Sequence, residues 1–371
     1  MVTLRDRFRG CIGASWVGSA MGAAVEGWSR EAIGEKYGVL ESLESYSHYE
    51  DGPRWDRMPG TTEDGIERQK LIATAIIEKQ DRVLAQDVAA VWVRDIDPEK
   101  IVYKQEPFDK SLLELATAGL PASELGKLYP YPNVVSLARS AHPLGLINAG
   151  DPRGAADDSF EVGKLYARET AYALRWGALY NAALAEACKP EATVESVLAT
   201  AREFVHYREE KGSLYTHYDT IEGEVNRALA LAEKHTDPMA MRDEFYRHYY
   251  GGDYFNYGMS QANEIVAKGL AVFALTKGDP KQAIVTAVNF GRDTDCLAAV
   301  AGGLAGAFSG AASIPQEWID QVEAATAADP YTNSKRSMAA TADGLFEAYM
   351  ARRRRVQQYL DSMGDEAFLA K

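Results

Sequence analysis

The sequence predicts an all-α chain folded as a single domain over residues 1–371. Apolar residues recur at spacings of three and four along most of the chain, the period of a helix with one buried face. Strand-like alternation is scarce, and no linker, internal repeat or low-complexity tract divides the chain. A chain of 371 residues, 46% hydrophobic and 25% charged, is long enough to bury one large core or two ordinary ones. The lack of a linker favours one.

The first element lies in MVTLRDRFRGCIGASWVGSAMGAAVEGW. Arg5 to Arg9 followed by a mostly apolar stretch imitates a signal peptide. Glycines, serines and a tryptophan interrupt that stretch, and a leucine-rich centre is missing, so a buried first helix is expected instead. Helical spacing continues in TEDGIERQKLIATAIIEKQ from Thr62 and LAQDVAAVWVRDI from Leu84. Segment 101–160, rich in Tyr, Pro and Gly, is the least regular part, and long irregular segments of compact domains often line sites. Further helical patterns follow in ALRWGALYNAALAEAC from Ala173, VESVLATAREFVHY from Val194, IEGEVNRALALAEKH from Ile221 and ANEIVAKGLAVFALTKG from Ala262. Pro121, Pro130, Pro132, Pro143, Pro152, Pro280 and Pro315 mark joints between helices.

Residues 296–314, CLAAVAGGLAGAFSGAASI, are long enough to span a bilayer, and Gly302, Gly306 and Gly310 repeat the spacing of packed membrane helices. The stretch is mostly Ala and Gly and has no companion span. A central helix of a soluble bundle, approached closely by its neighbours, is the expectation. The C-terminal ARRRRVQQYL carries a charge run on a helical pattern and is expected to present a solvated face.

Lys and Arg total 40 against 54 for Asp and Glu, a formal charge of -14. That balance repels nucleic acid and anionic membrane surfaces, so neither is expected as a partner. Cys11, Cys188 and Cys296 are scattered, form no CxxC pair and leave an odd count. They suit a reducing, cytoplasmic compartment and offer no zinc ligand set.

Three acidic stretches stand apart. In GSAMGAAVEGW, Glu26 follows a glycine-rich turn and, alone, reads as a surface glutamate. In PGTTEDGIER, Thr61 or Thr62 would cap a helix, with Asp64 completing a capping box. In NFGRDTDC, Asp293 and Asp295 sit at a helix start, where the helix dipole favours carboxylates. Taken together, acidic pairs on different helix starts supply the oxygen ligands that magnesium or manganese requires.

The same stretches resemble the motifs of the ADP-ribosylglycohydrolase family. GSAMGAAVE, from Gly18 to Glu26, resembles GDALGxPxE, departing at Ser19 and Ala24. TEDG, from Thr62 to Gly65, resembles TDDT or SDDT, and PLGLINAGDP, from Pro143 to Pro152, resembles a segment that contributes to the family's substrate pocket. The longest match is GRDTDCLAAVAGGLAGAFSGAASIP, against a pattern near GxDTDTxAAxxGxxxGAxxGxxxIP.

The resemblance implies an orthogonal helical bundle holding two magnesium or manganese ions in a central cleft. It implies a hydrolase that cleaves the anomeric bond of an ADP-ribosyl, ribosyl or related glycosyl substrate. The implied metal ligands are Thr62, Glu63, Asp64, Asp293 and Asp295, with Glu26 as a substrate-gating or proton-handling carboxylate. Acid and base roles stay open among Glu26, Glu63 and Asp64. Gly145, Asn148 and Asp151 are expected to contact the sugar, and Tyr254 and Tyr257, in YYGGDYFNYG, to stack on a ring. Expected partners are a small glycoside or an ADP-ribosylated substrate. The chain carries no signal of its oligomeric state.

Three further positions depart from the pattern. Gly65 replaces a hydroxyl residue, Glu63 lengthens an aspartate, and Cys296 replaces a threonine with a thiol, a poor ligand for a hard cation. One metal is therefore expected to be weakened, moved or missing. The alternative is a ligand-binding member of the fold that has lost catalysis.

Overall fold

The computed structural model describes residues 2–48, 52–53, 55–100, 107–129, 131, 134–169, 171–209, 220–250 and 260–363. Among the described residues the first ten α-helices are α1 (Leu4–Ala23), α2 (Arg30–Tyr37), α3 (Asp64–Lys79), α4 (Ala85–Asp95), α5 (Pro107–Thr117), α6 (Ala122–Leu125), α7 (Ser136–Ser140), α8 (His142–Ile147), α9 (Pro152–Gly163) and α10 (Tyr172–Ala187). Eight more follow: α11 (Val194–Glu203), α12 (Ile221–Lys234), α13 (Pro238–Tyr249), α14 (Ala262–Leu275), α15 (Pro280–Val288), α16 (Thr294–Ser309), α17 (Gln316–Ala328) and α18 (Met338–Met363). Among the described residues the sheet content is one antiparallel pair, β1 (Tyr46–Ser47) with β2 (Asp56–Arg57), in which Tyr46 faces Arg57. The all-α expectation holds.

Helix α1 is the first half of the centre. Thr3 caps it by accepting the Asp6 backbone N–H at 3.1 Å, and its residues are buried almost continuously from Arg7 to Ala23. A helix buried on nearly every side belongs inside a bundle. Its most extensive neighbour is α16, the other half of the centre. The two run antiparallel and touch backbone to backbone. A β-carbon on Gly10 would lie 2.2 Å from the Gly306 carbonyl oxygen, and one on Gly22 would lie 2.5 Å from the Asp295 backbone. Glycine at these positions lets the helices approach until the C-terminal end of α1 meets the first turn of α16.

The 296–314 stretch is thus a buried helix ending at Ser309, followed by a 3-10 turn at Ala311–Ser313. Among the described residues no helix is long and apolar enough to cross a membrane. Pro152 and Pro280 open α9 and α15, Pro121 and Pro315 precede α6 and α17, and Pro143 falls in the first turn of α8. Pro130 and Pro132 lie outside the described residues. Segment 101–160 is more regular than its composition suggests, since α5 to α9 cover most of its described part. The end of α18, residues 353–363, is exposed, as its charge run predicts.

Candidate metal centre

The turn before α16 sets the site. Asn289 at its start is buried and pinned to Leu40, accepting the Leu40 N–H at 2.9 Å and donating to its carbonyl at 3.0 Å. Gly291 and Arg292 then take φ of 78° and 69°, left-handed conformations that reverse the chain within two residues. The reversed turn is fastened to the turn after α1. The Gly27 N–H donates to the Arg292 carbonyl and the Arg292 N–H to the Trp28 carbonyl, both at 2.8 Å. The Thr294 hydroxyl donates to the Gly22 carbonyl at 2.8 Å. Arg292 is anchored in turn by Glu264, at 2.8 and 3.2 Å. Glu26 and the Asp293–Asp295 pair are thereby held on one corner.

Asp293 occupies the N-cap position of α16 without capping it. Both its carboxylate oxygens, and Oδ1 of Asp295, are buried and make no hydrogen bond. Burial raises the pKa of Asp293 and raises that of Asp295 further, where the carboxylates of Glu26, Asp293, Glu63 and Asp64 add to it. Asp295 is thus within electrostatic reach of the other four carboxylates. The Cys296 thiol is pushed well up by burial and by the carboxylates of Asp293, Asp295 and Asp64, so it stays protonated.

The Thr62–Asp64 half is built differently. Glu63, not Thr61 or Thr62, is the N-cap of α3, and its side chain makes no capping bond. The Thr61 hydroxyl instead donates to the Met58 carbonyl at 2.8 Å, so the capping-box expectation is corrected. The Glu63 N–H donates to the Ser19 hydroxyl at 3.2 Å, and its carboxylate turns to Nδ1 of His48 at 2.8 Å. Ser19, one of the departures from the family motif, thus supports the neighbouring acidic stretch.

Asp64 is engaged by two guanidinium groups. Arg68, one turn along α3, donates to its Oδ2 at 2.7 Å. Arg139 of α7 forms a bidentate pair, Nη1 to Oδ1 at 2.9 Å and Nη2 to Oδ2 at 2.7 Å. Arg139 Nη1 also donates to the Cys296 sulfur at 3.4 Å, and Arg68 reaches on to Asp109 at 2.5 Å. The irregular segment thus does supply a site residue, through Arg139.

A resident divalent cation fits one half of this arrangement. Asp293, Asp295 and Cys296 offer ligand atoms within 4.8 Å of one another, and three carboxylate oxygens there lack any hydrogen bond. Buried carboxylates without partners are costly unless a cation joins them. The carboxylate of Asp64, by contrast, already holds two cationic side chains. Glu26 is exposed and lines a polar cleft of about 620 Å³ with Ala23, Trp28, Tyr46 and Arg57.

The expected sugar contacts do not join the carboxylates. Gly145 packs on Leu184, where a β-carbon would come within 2.6 Å of Cδ2. Asn148 donates to the Leu144 carbonyl and to Asp158, and Asp151 caps α9 by accepting the Gly154 N–H. Asp151 lines a second cleft with Arg7 and Tyr349. Arg7 donates to the Ala307 carbonyl, at the end of α16 remote from Asp295, about 18 Å away at 1.5 Å per residue. Tyr254 and Tyr257 lie outside the described residues. Sequence reasoning missed His48, Arg68, Arg139 and Asp109, which carry no motif and meet the acidic stretches only through the fold.

A family model described as ADP-ribosylglycohydrolase matches residues 1–355. A solved structure titled ADP-ribosylglycohydrolase-related protein complex superposes with a TM-score of 0.64 at 20% identity, covering 94% of this chain and 100% of that chain. At that identity the likeness speaks for the fold. Comparison with curated proteins found no match.

Proposed function

The chain belongs to the ADP-ribosylglycohydrolase family, and from that membership we propose that it hydrolyses the anomeric bond of an ADP-ribosyl or related ribosyl substrate with a divalent cation, magnesium or manganese. The observation that carries this proposal is the pair Asp293 and Asp295, buried with unmatched oxygens beside Glu26 on an open polar cleft. Asp293 and Asp295 would hold the ion. Bound there, such an ion orients ribose hydroxyls and acidifies a water.

The chain's own residues divide the remaining work. Glu63 is committed to His48 and Asp64 to Arg68 and Arg139. Glu26, exposed on the cleft and close enough to perturb Asp295, is the carboxylate placed to take a proton from the attacking water, through an oxocarbenium-like transition state. Thr62, buried at the start of α3, belongs to the same wall.

The test is mass spectrometry of products after incubation with magnesium or manganese and a panel of ADP-ribosylated arginine and serine peptides, ADP-ribose and simple ribosides. Release of ADP-ribose or a free sugar, lost in Asp293→Asn, is the expected result. Riboside binding without turnover under saturating metal would replace this proposal by the non-catalytic alternative.

A further inference from the structure

We infer that the Arg139 guanidinium takes the place of a second cation, so that the centre holds one divalent ion, on the Asp293–Asp295 side alone. The inference rests on the proposed metal centre and is independent of turnover.

Three observations converge on it. The Asp64 carboxylate receives a bidentate guanidinium from Arg139 and a further N–H from Arg68, and fork-to-carboxylate pairs of this kind are the strong, directional ones. Space for the arginine exists because residue 65 is glycine, where a β-carbon would lie 2.9 Å from Arg139 Cδ. The same guanidinium donates to the sulfur of Cys296, the residue that weakens the site as a cradle for a second hard ion. Two of the departures from the family pattern, Gly65 and Cys296, thus both face one side chain.

Charge balance points the same way. Asp64 and Asp109 are matched by Arg68 and Arg139, so this group of four is neutral without any metal. Glu63 has His48. Asp293 and Asp295 remain as a buried pair whose oxygens Oδ1 and Oδ2 of Asp293 and Oδ1 of Asp295 have no partner, a deficit that one divalent cation meets. An ion beside Asp64 would have to displace a permanently charged guanidinium. In consequence the Thr62–Asp64 wall keeps its form when metal is withdrawn, and chelation disturbs the Asp293–Asp295 corner alone.

The test counts ions. Chelator-stripped full-length protein is titrated with Mn2+ by calorimetry, and bound Mn2+ is examined by electron paramagnetic resonance. One Mn2+ per chain with the spectrum of an isolated ion is expected. Asp64→Asn, checked for folding by circular dichroism, should change Mn2+ affinity by less than about tenfold, whereas Asp293→Asn should weaken it by about tenfold or more. Two ions per chain, a spin-coupled pair, or an Asp64→Asn loss of about tenfold or more would overturn the inference. No bound ion would overturn it together with the metal-dependent proposal. One ion with no glycoside turnover would leave it standing and remove only the catalytic proposal.

Discussion

Gly65 lies against Arg139. A β-carbon on Gly65 would approach Cδ of Arg139 to 2.9 Å, and the far end of that arginine is pinned on Asp64 by two hydrogen bonds. The side chain therefore cannot swing aside without giving up a buried ion pair.

Restoring a hydroxyl residue at this position should destabilise the protein. Gly65→Thr is expected to cost about 1–3 kcal/mol through overpacking, and Arg139→Ala about 3–5 kcal/mol by leaving Asp64 short of a partner. Urea denaturation of the two single variants and the double variant checks the contact. The double variant should lose at least about 1 kcal/mol less than the sum, and strict additivity would mean that the two residues do not compete for the same space.

Asp293 and Asp295 repel each other in a buried corner. Without metal, Asp293→Asn should therefore be more stable than the natural chain, by about 1–3 kcal/mol from removing an unpartnered buried charge. Thermal denaturation in chelator reads this directly. Adding Mn2+ should raise the melting temperature of the natural chain and leave the variant nearly unmoved. A variant less stable than the natural chain under chelation would show that Asp293 has a stabilising partner.

Glu26→Gln should lower turnover by about 10²-fold or more by removing the proton acceptor, while Mn2+ affinity changes little because Glu26 lies on the cleft wall. Parallel steady-state kinetics and metal titration separate the two effects. Unchanged turnover would transfer proton handling to another group.

His142 makes acid stability measurable. It is fully buried, with Nδ1 accepting from Gln69 at 3.0 Å and Nε2 facing the Ala299 carbonyl at 3.1 Å and the Tyr180 hydroxyl at 2.9 Å. Gln69 in turn donates to Ser15 and accepts from Trp16. Burial lowers the His142 pKa from 6.5 to about 4. Below 6.5 the unfolded chain binds a proton that the folded chain refuses until about 4, so this residue makes stability fall as pH drops through that window and adds no slope below it. The loss amounts to about 3 kcal/mol. Denaturant melts between pH 7 and 4 should show a shallower decline in His142→Gln than in the natural chain, and equal slopes would refute the assignment.

Much of this protein was legible before its structure. The helical periods of segments such as 173–188 and 262–278 correspond to α10 and α14, because an apolar stripe of period 3.6 is a local property. The small-residue spacing in α16 announced a close helix contact, though not with which partner. Motif positions Glu26, Thr62, Glu63, Asp64, Asp293 and Asp295 could be named as candidates because their spacings are short. The capping role assigned to Thr61 or Thr62 failed, since the same residue types serve a cap and a wall equally well on paper. A motif states which residues occur together in the chain and not what they face: Gly145 packs on Leu184, Asn148 bonds to Asp158, and Asp151 lines the cleft that holds Arg7.

The sequence by itself determined the helical class, the acidic stretches and the departures at Glu63, Gly65 and Cys296, because each is a statement about neighbours along the chain. Only the tertiary structure decided what those residues face. Arg139 reaches Asp64 across 75 positions and Cys296 across 157, and His48 meets Glu63 through the turn between α2 and α3. Such contacts follow from how closely α1, α3, α7 and α16 pack, down to backbone contact at Gly22 and Asp295. Helix period and residue spacing carry no information about that distance, and it is this packing that leaves Asp64 and Asp109 matched by arginine and three oxygens of Asp293 and Asp295 without a hydrogen bond.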